Sequence, residues 1–309
     1  LLVDVGTNAE IILGNRARVV AASSPTGPAF EGAEISGGQR AAPGAIERVR
    51  IDPETLEPKY HVIGVEKWSD EPGFEEAAGQ VGVTGICGSA IIEVVAEMYL
   101  SGIISEDGVI DGSLAARSPR IFQHGRTFSY LLRDGEPRLV ITQRDVRAIQ
   151  LAKAALYAGV KLLMEKQGVD HVDMIRFAGA FGSFIDPKYA MVLGLIPDCD
   201  LAEVKAVGNA AGTGAMMALL NRGHRREIEE TVTRIEKIET ALEPHFQQIF
   251  IDAMALPNKV DAFPHLSKAV KLPPRQVDSP ESVAAVAATG DAAPRRRSRE
   301  ERAARRNRD

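Results

Sequence analysis

The sequence is poor in cysteine. Only Cys87 and Cys199 occur in 309 residues, far apart, which excludes a disulfide framework and a cluster held by four thiolates. Free thiols suit a reducing compartment, so a cytoplasmic location is expected. Long apolar runs are also lacking. No stretch approaches the roughly 18 residues that span a bilayer and no signal peptide is recognisable, so no membrane partner is expected. Positive charge is not in excess either: the formal net charge is −5. Between Gly290 and Asp309 eight arginines face four acids, a balance of +4, so the remainder carries −9. An acidic body argues against nucleic acid as the main partner. The arginine-rich stretch, also rich in Ala and Pro, reads as a solvated tail. An initiating methionine is missing as well: the chain begins with Leu1 inside an apolar strand and reads as the later part of a longer protein. What is present, 45% hydrophobic and 26% charged residues, is the balance of a globular protein of one large or two ordinary domains.

The chain is organised around its first stretch, Leu1 to Asn15, which reads as strand, small polar turn and strand. Gly6 lets a backbone approach a ligand closely, and successive N–H groups at Thr7 and Asn8 can form a concave anion site. Asp4, where the first strand gives out, is placed to hold a cation or a water over a phosphate. The same residues equally suit an ordinary hairpin turn. Further on, Thr26 and Pro28 predict a capped helix start, with Glu31 in its first turn. A helix N-terminus beside the first loop favours anions.

Strands are predicted between Ala45 and Val65, and a helix opens at Thr84–Ala90 and runs to about Leu100. Cys87 reads as a small buried hydrophobe. Thr142 with Asp145 forms a capping pattern at the start of the strongest helix, which Gly168 stops; Lys153 and Lys161 on it are expected to reach solvent. A strand over Met174–Ala178 leads into Gly179-Ala180-Phe181-Gly182, where bare backbone leaves room for a base or ribose and Phe181 forms a wall; a plain strand–helix turn explains the same residues. Asp186-Pro187 starts a short helix. Gly208-Asn209 precedes a Gly/Ala-rich helix suited to close packing. Helices are expected near 224–233 and 242–254 and a strand near 234–239; order fades beyond Pro257, with a flexible tail from about Leu272.

The order of these motifs, more than any one of them, resembles the actin, sugar kinase and heat-shock-70 ATPase superfamily. Within it the chain is most similar to the reductive activators of corrinoid-dependent methyltransferases. The shared motifs are LLVDVGTNAEI (1–11), GPAFEGA (27–33), GICGSA (85–90), TQRDVRAIQLAKAALYAGV (142–160), AGAFGSFID (178–186) and VGNAAGTGA (207–215). The resemblance implies an α/β, ribonuclease-H-like mixed sheet flanked by helices over residues 1–260, the second lobe of an actin-like ATPase, followed by a tail over 261–309. It implies ATP and Mg²⁺ as cofactors: Asp4 as the Mg²⁺ or water contact, Gly6, Thr7 and Asn8 on phosphate with Glu31 nearby, and Gly179, Phe181 and Gly182 beside the adenosine, close to Gly208 and Asn209. It also implies ATP-driven reduction of a corrinoid protein from Co(II) to Co(I), through a [2Fe-2S] cluster in an N-terminal domain that this chain does not contain, and allows a homodimer. Ala9 and Ala90 stand where the family usually has glycine, and the first lobe's own phosphate loop is absent. Two other readings remain open, a phosphotransferase of the same superfamily and a docking module without turnover.

Overall fold

Strand 1 of the main sheet already shows the burial logic of the fold. The computed structural model describes residues 1–274, of which Leu1–Pro273 form one compact unit. β1 (Leu2–Val5), β2 (Ala9–Gly14) and β3 (Val19–Ser24) run antiparallel, and Val3, Val5, Ile11, Leu13, Val20 and Ala22 alternate into the core. The chain then leaves this sheet for a long insertion: β4 (Ala45–Ile51), β5 (Pro58–Val62), α1 (Phe74–Val81), β6 (Gly85–Ile86), α2 (Gly88–Leu100), β7 (Ile121–His124), β8 (Thr127–Arg133) and β9 (Leu139–Thr142). It returns through α3 (Gln143–Gln167), β10 (Ile175–Ala178), α4 (Gly179–Gly182), α5 (Pro187–Leu193) and β11 (Val204–Gly208). Then follow α6 (Ala210–Leu220), α7 (Arg222–Val232), β12 (Glu236–Lys237), α8 (Phe246–Asp252) and α9 (Pro264–Ala269).

The main sheet has the order β11-β10-β1-β2-β3-β12. Its β1, β10 and β11 are parallel, as the expected ribonuclease-H-like α/β fold requires. Two three-stranded sheets, β5-β4-β6 and β7-β8-β9, belong to the insertion. α2 is buried along almost its whole length, including Glu93 and Glu97. These two acids occupy the edge of β4 that β6 leaves uncovered after Ile86. Glu93 accepts from the Val49 amide at 2.9 Å and Glu97 from the Ile51 amide at 3.0 Å. Four residues along a helix advance about 6 Å and two along a strand about 6.6 Å, so the spacings match and the acids act as strand-like acceptors.

α3 carries the expected box: the Thr142 hydroxyl accepts from the Asp145 amide at 3.2 Å and the Asp145 carboxylate accepts from the Thr142 amide at 2.7 Å. Gly168, in the left-handed region at φ 72°, ends it. Two expectations are corrected on this helix. Lys153 does not reach solvent. It is fully buried, and its Nζ donates to the carbonyls of Ala255 and, at 2.9 Å, Pro257. Nor does order fade beyond Pro257. Asp261 accepts from Tyr157 at 2.7 Å and Lys161 at 2.8 Å, and Asp198 accepts from the backbone amides of His265 and Leu266, both at 3.0 Å. The compact unit thus runs past the boundary expected at 260. The tail expected from Leu272 falls, from residue 275, outside the described residues.

Burial pushes the Lys153 amine well below the ordinary lysine range. A neutral amine has two N–H groups, matching its two carbonyl acceptors. The unfolded chain then binds a proton that the folded chain rejects, so stability rises with pH between the lowered folded value and the unfolded value of about 10.4. Lys153→Met is expected to flatten this rise. Urea midpoints of both proteins at about pH 7 and about pH 9.5 measure it, and equal pH increments would refute the buried neutral amine.

The Gly/Ala-rich α6 was expected to pack closely. Instead none of its residues is buried among the described residues, and Met216, Leu219 and Leu220 are 60%, 72% and 83% exposed.

Candidate functional site

Register brings the glycine turns together. Asp4 pairs with Ala178 across β1 and β10, and a bulge at Phe177/Ala178 sets Ala178 opposite Gly208 on β11. The carboxyl ends of three parallel strands therefore lie side by side, the place where open α/β sheets bind ligands. Gly179 takes a left-handed φ of 81° directly after β10, and a β-carbon there would lie 2.3 Å from Asp4 Oδ1. The carboxylate of Asp4 thus rests on bare backbone, and no other residue type fits beneath it.

The loop after β1 is held from one side. The Gly6 amide donates to the Asn8 carbonyl at 3.0 Å, closing the turn, and Thr7 and Asn8 form its exposed tip. The Thr26 hydroxyl is bonded to the carbonyls of Gly6 at 2.8 Å and Thr7 at 3.1 Å, and the Gly27 amide donates to the Thr7 carbonyl at 2.9 Å. Thr26 is therefore a brace of the first loop and not the helix cap that its sequence suggested. The expected helix is a single 3-10 turn over Ala29–Glu31, with Pro28 at its cap position and no side-chain cap. A helix dipole is not available there, since the macrodipole needs aligned turns. Glu31 reaches the loop directly instead, accepting from the Thr7 hydroxyl at 2.7 Å.

Beyond Glu31 opens a cavity of about 590 Å³ between the main sheet's edge and the insertion. Phe30, Phe181 and Phe184 give it an apolar wall; Glu31, Glu47 and Ser89 bring polar atoms to it. Gly88, first residue of α2, lies against this wall: a β-carbon would meet the Phe30 carbonyl at 2.2 Å and the Phe181 ring at 2.5 Å. Gly182 packs on Phe177 and so fixes the turn that carries Phe181. Glu47 is oriented by His61, whose Nδ1 lies 3.0 Å from Glu47 Oε1, and its carbonyl accepts from the Ser89 hydroxyl at 2.9 Å.

Of the residues named from sequence, Asp4, Gly179 and Gly208 meet at the strand ends, Thr7 meets Glu31, and Phe181 joins Glu31 on the cavity wall. Asn209 caps α6 by accepting from the Gly212 amide at 2.8 Å, and neither it nor Gly208 is on the cavity wall. Glu47 and His61 were not legible in the sequence, because β4 and β5 carry no motif and only their pairing aims these side chains. Among the described residues no group of three His, Cys, Asp or Glu side chains could hold a metal by itself. A hard cation that keeps several waters and takes the rest of its ligands from phosphates needs no such group, so the lone carboxylate of Asp4 fits Mg²⁺ with a nucleotide. An apolar cavity of this size beside a few polar groups fits a nucleoside.

Sheet order and glycine turns together define a domain of the actin, sugar kinase and heat-shock-70 ATPase class. The chain belongs to the family described as the C-terminal domain of RACo, the ASKHA domain, whose model matches residues 1–267. It is 36% identical over 264 residues to the corrinoid activation enzyme RamQ of Eubacterium limosum, covering 81% of this chain and 42% of that protein. It is 28% identical over 250 residues to a [Co(II) methylated amine-specific corrinoid protein] reductase of Methanosarcina barkeri, covering 76% and 41%. A solved reductive activator for corrinoid, iron-sulfur protein aligns with a TM-score of 0.71 at 32% identity, over 83% of this chain and 39% of that one. The chain thus spans about two fifths of the length of the relatives it matches. No helix among the described residues is long and apolar enough to cross a membrane.

Proposed function

We propose that this domain supplies one side of an ATP site in a reductive activator, which uses ATP to drive a one-electron reduction of a corrinoid protein from Co(II) to Co(I). The observation that carries the reading is the meeting of Asp4, Gly179 and Gly208 at three parallel strand ends, one short loop away from an apolar cavity walled by Phe181. Asp4 takes the Mg²⁺ or its water, and the tip at Gly6, Thr7 and Asn8 faces phosphate. Adenosine occupies the cavity against Phe181, between Gly179 and Gly182. Glu31, an acid, is ill suited to touch phosphate; it accepts from a ribose hydroxyl, as acids do in other nucleotide sites, while fixing Thr7. The electron comes through an iron–sulfur cluster in another domain, since the two cysteines here are buried singly. ATP and the corrinoid protein favour one arrangement of the whole activator, which lets nucleotide energy bias an uphill electron transfer. The exposed apolar face of α6 is covered in that arrangement by a first ASKHA lobe, and the partner is the corrinoid protein of a methyltransferase system.

The test is calorimetric titration of Mg·ATP into the 309-residue chain and its Asp4→Asn variant. Wild-type binding with an affinity loss of about tenfold or more in the variant, roughly one charge-assisted contact, is the expected result. Absence of binding, both alone and after fusion to a first ASKHA lobe, would overturn the reading.

A further inference from the structure

A second cavity lies in a groove between α3 and α8. Its volume is about 400 Å³. Arg144 and Arg147 stand one turn apart on α3, both exposed, and neither forms an ion pair among the described residues. Ala148, Leu151 and Ala155 continue the same helical face, with Leu151 46% exposed. Opposite them Phe246 and Phe250 of α8 pack with ring centroids 6.4 Å apart and form an apolar wall. Glu34 is the one acid on the lining, so the groove is net positive. Thr26 and Gly27 close its end, and these two residues hold the Gly6–Thr7 backbone.

We infer that this groove docks a segment of the activator's protein partner in which carboxylates precede apolar side chains. Charge complementarity decides the occupant. Two unpaired guanidiniums attract carboxylates and form bidentate bonds with them, while Leu151 and the two phenylalanines offer a dry trough for apolar anchors. The chain's own segment 290–309 carries +4 and is repelled. Residues 1–289 sum to −9, so an acidic segment needs a local cation pair such as this one to approach. The inference rests on the reading above for the partner being a protein, and it adds where that protein sits. An occupant of the groove touches Thr26 and Gly27, so docking is linked to the first loop by the hydrogen bonds that hold Thr7.

The probe is a fluorescent helical peptide of about twelve residues with two glutamates one turn apart, followed by leucine and phenylalanine at helical spacing. Its binding to the full chain is read by anisotropy. The double variant Arg144→Glu, Arg147→Glu is expected to lower affinity about tenfold or more and to reverse the salt dependence, since salt then screens a repulsion. The exposed control Arg16→Glu, on the turn after β2, is expected to change neither, and a peptide with glutamine for both glutamates is expected to bind weakly to wild type. Equal losses in the control, failure of wild type to bind the acidic peptide, or dimerisation of the chain that the double variant abolishes would each overturn the inference. Mg·ATP titration of the same proteins separates the two readings: loss of peptide binding with ATP binding retained removes the docking site alone, and the converse removes the nucleotide site alone.

Discussion

Glu93→Ala is expected to lower the unfolding free energy by about 3 kcal/mol, the lower end of the range for breaking a buried ion pair. The side chain is fully buried, and it accepts from Arg48 at 2.8 Å, Arg50 at 2.5 Å and the Val49 amide at 2.9 Å. Its removal orphans that amide and leaves Glu97, on the Ile51 amide, as the remaining acid that ties α2 to β4. The two arginines are 31% and 32% exposed in their side chains and can turn to water, which keeps the loss from the upper end. Arg50 also stacks over Tyr189, 4.7 Å from the ring centre, so α5 loosens with it. Glu93→Gln keeps an acceptor for Val49 and removes only the charge; it is expected to cost about half as much, in line with a charged hydrogen bond of 1.5–3 kcal/mol. Urea unfolding at constant m-value measures both. A loss below about 1 kcal/mol for the alanine variant, the size of an ordinary surface change, would show that the acid is not the joint between helix and strand.

Gly179→Ala is expected to weaken Mg·ATP binding about as much as Asp4→Asn does, by about tenfold or more, while leaving the chain folded. A left-handed φ of 81° costs an alanine about 1–2 kcal/mol, which a domain of ordinary stability survives. The larger effect is local. The added methyl would lie 2.3 Å from Asp4 Oδ1, so the carboxylate must swing away from the strand ends. Because both substitutions act through the same carboxylate, Gly179→Ala combined with Asp4→Asn is expected to be far from additive: the double variant should bind Mg·ATP no worse than the worse single one. Additive losses in calorimetry would mean that the glycine acts on the nucleotide by itself and not through Asp4. Thermal unfolding of the same variants confirms that the fold is retained.

Much of this molecule is written in short windows of its sequence. The Thr142–Asp145 box, the Gly168 stop, Asp186-Pro187 and the Asn209 cap each depend on residues within one turn, and each appears in the structure as its local chemistry dictates. The order of glycine turns likewise pointed to the fold class, through its resemblance to the actin, sugar kinase and heat-shock-70 ATPase superfamily, and the sheet order bears that out. Long-range packing decided the rest. Thr26 has every mark of a helix cap, yet the loop after β1 takes its hydroxyl, 19 and 20 residues away. Lys153 sits on a helical pattern that allows exposure, and only the carbonyls of Ala255 and Pro257, more than a hundred residues later, cover it. Glu93 and Glu97 find their partners only because β6 stops short and leaves two amides of β4 without a strand partner. Caps and periodicity are properties of a few neighbouring residues, whereas burial, a cavity wall and the partner of a charge are set by which distant segments the sheet brings together, and a linear sequence does not state that.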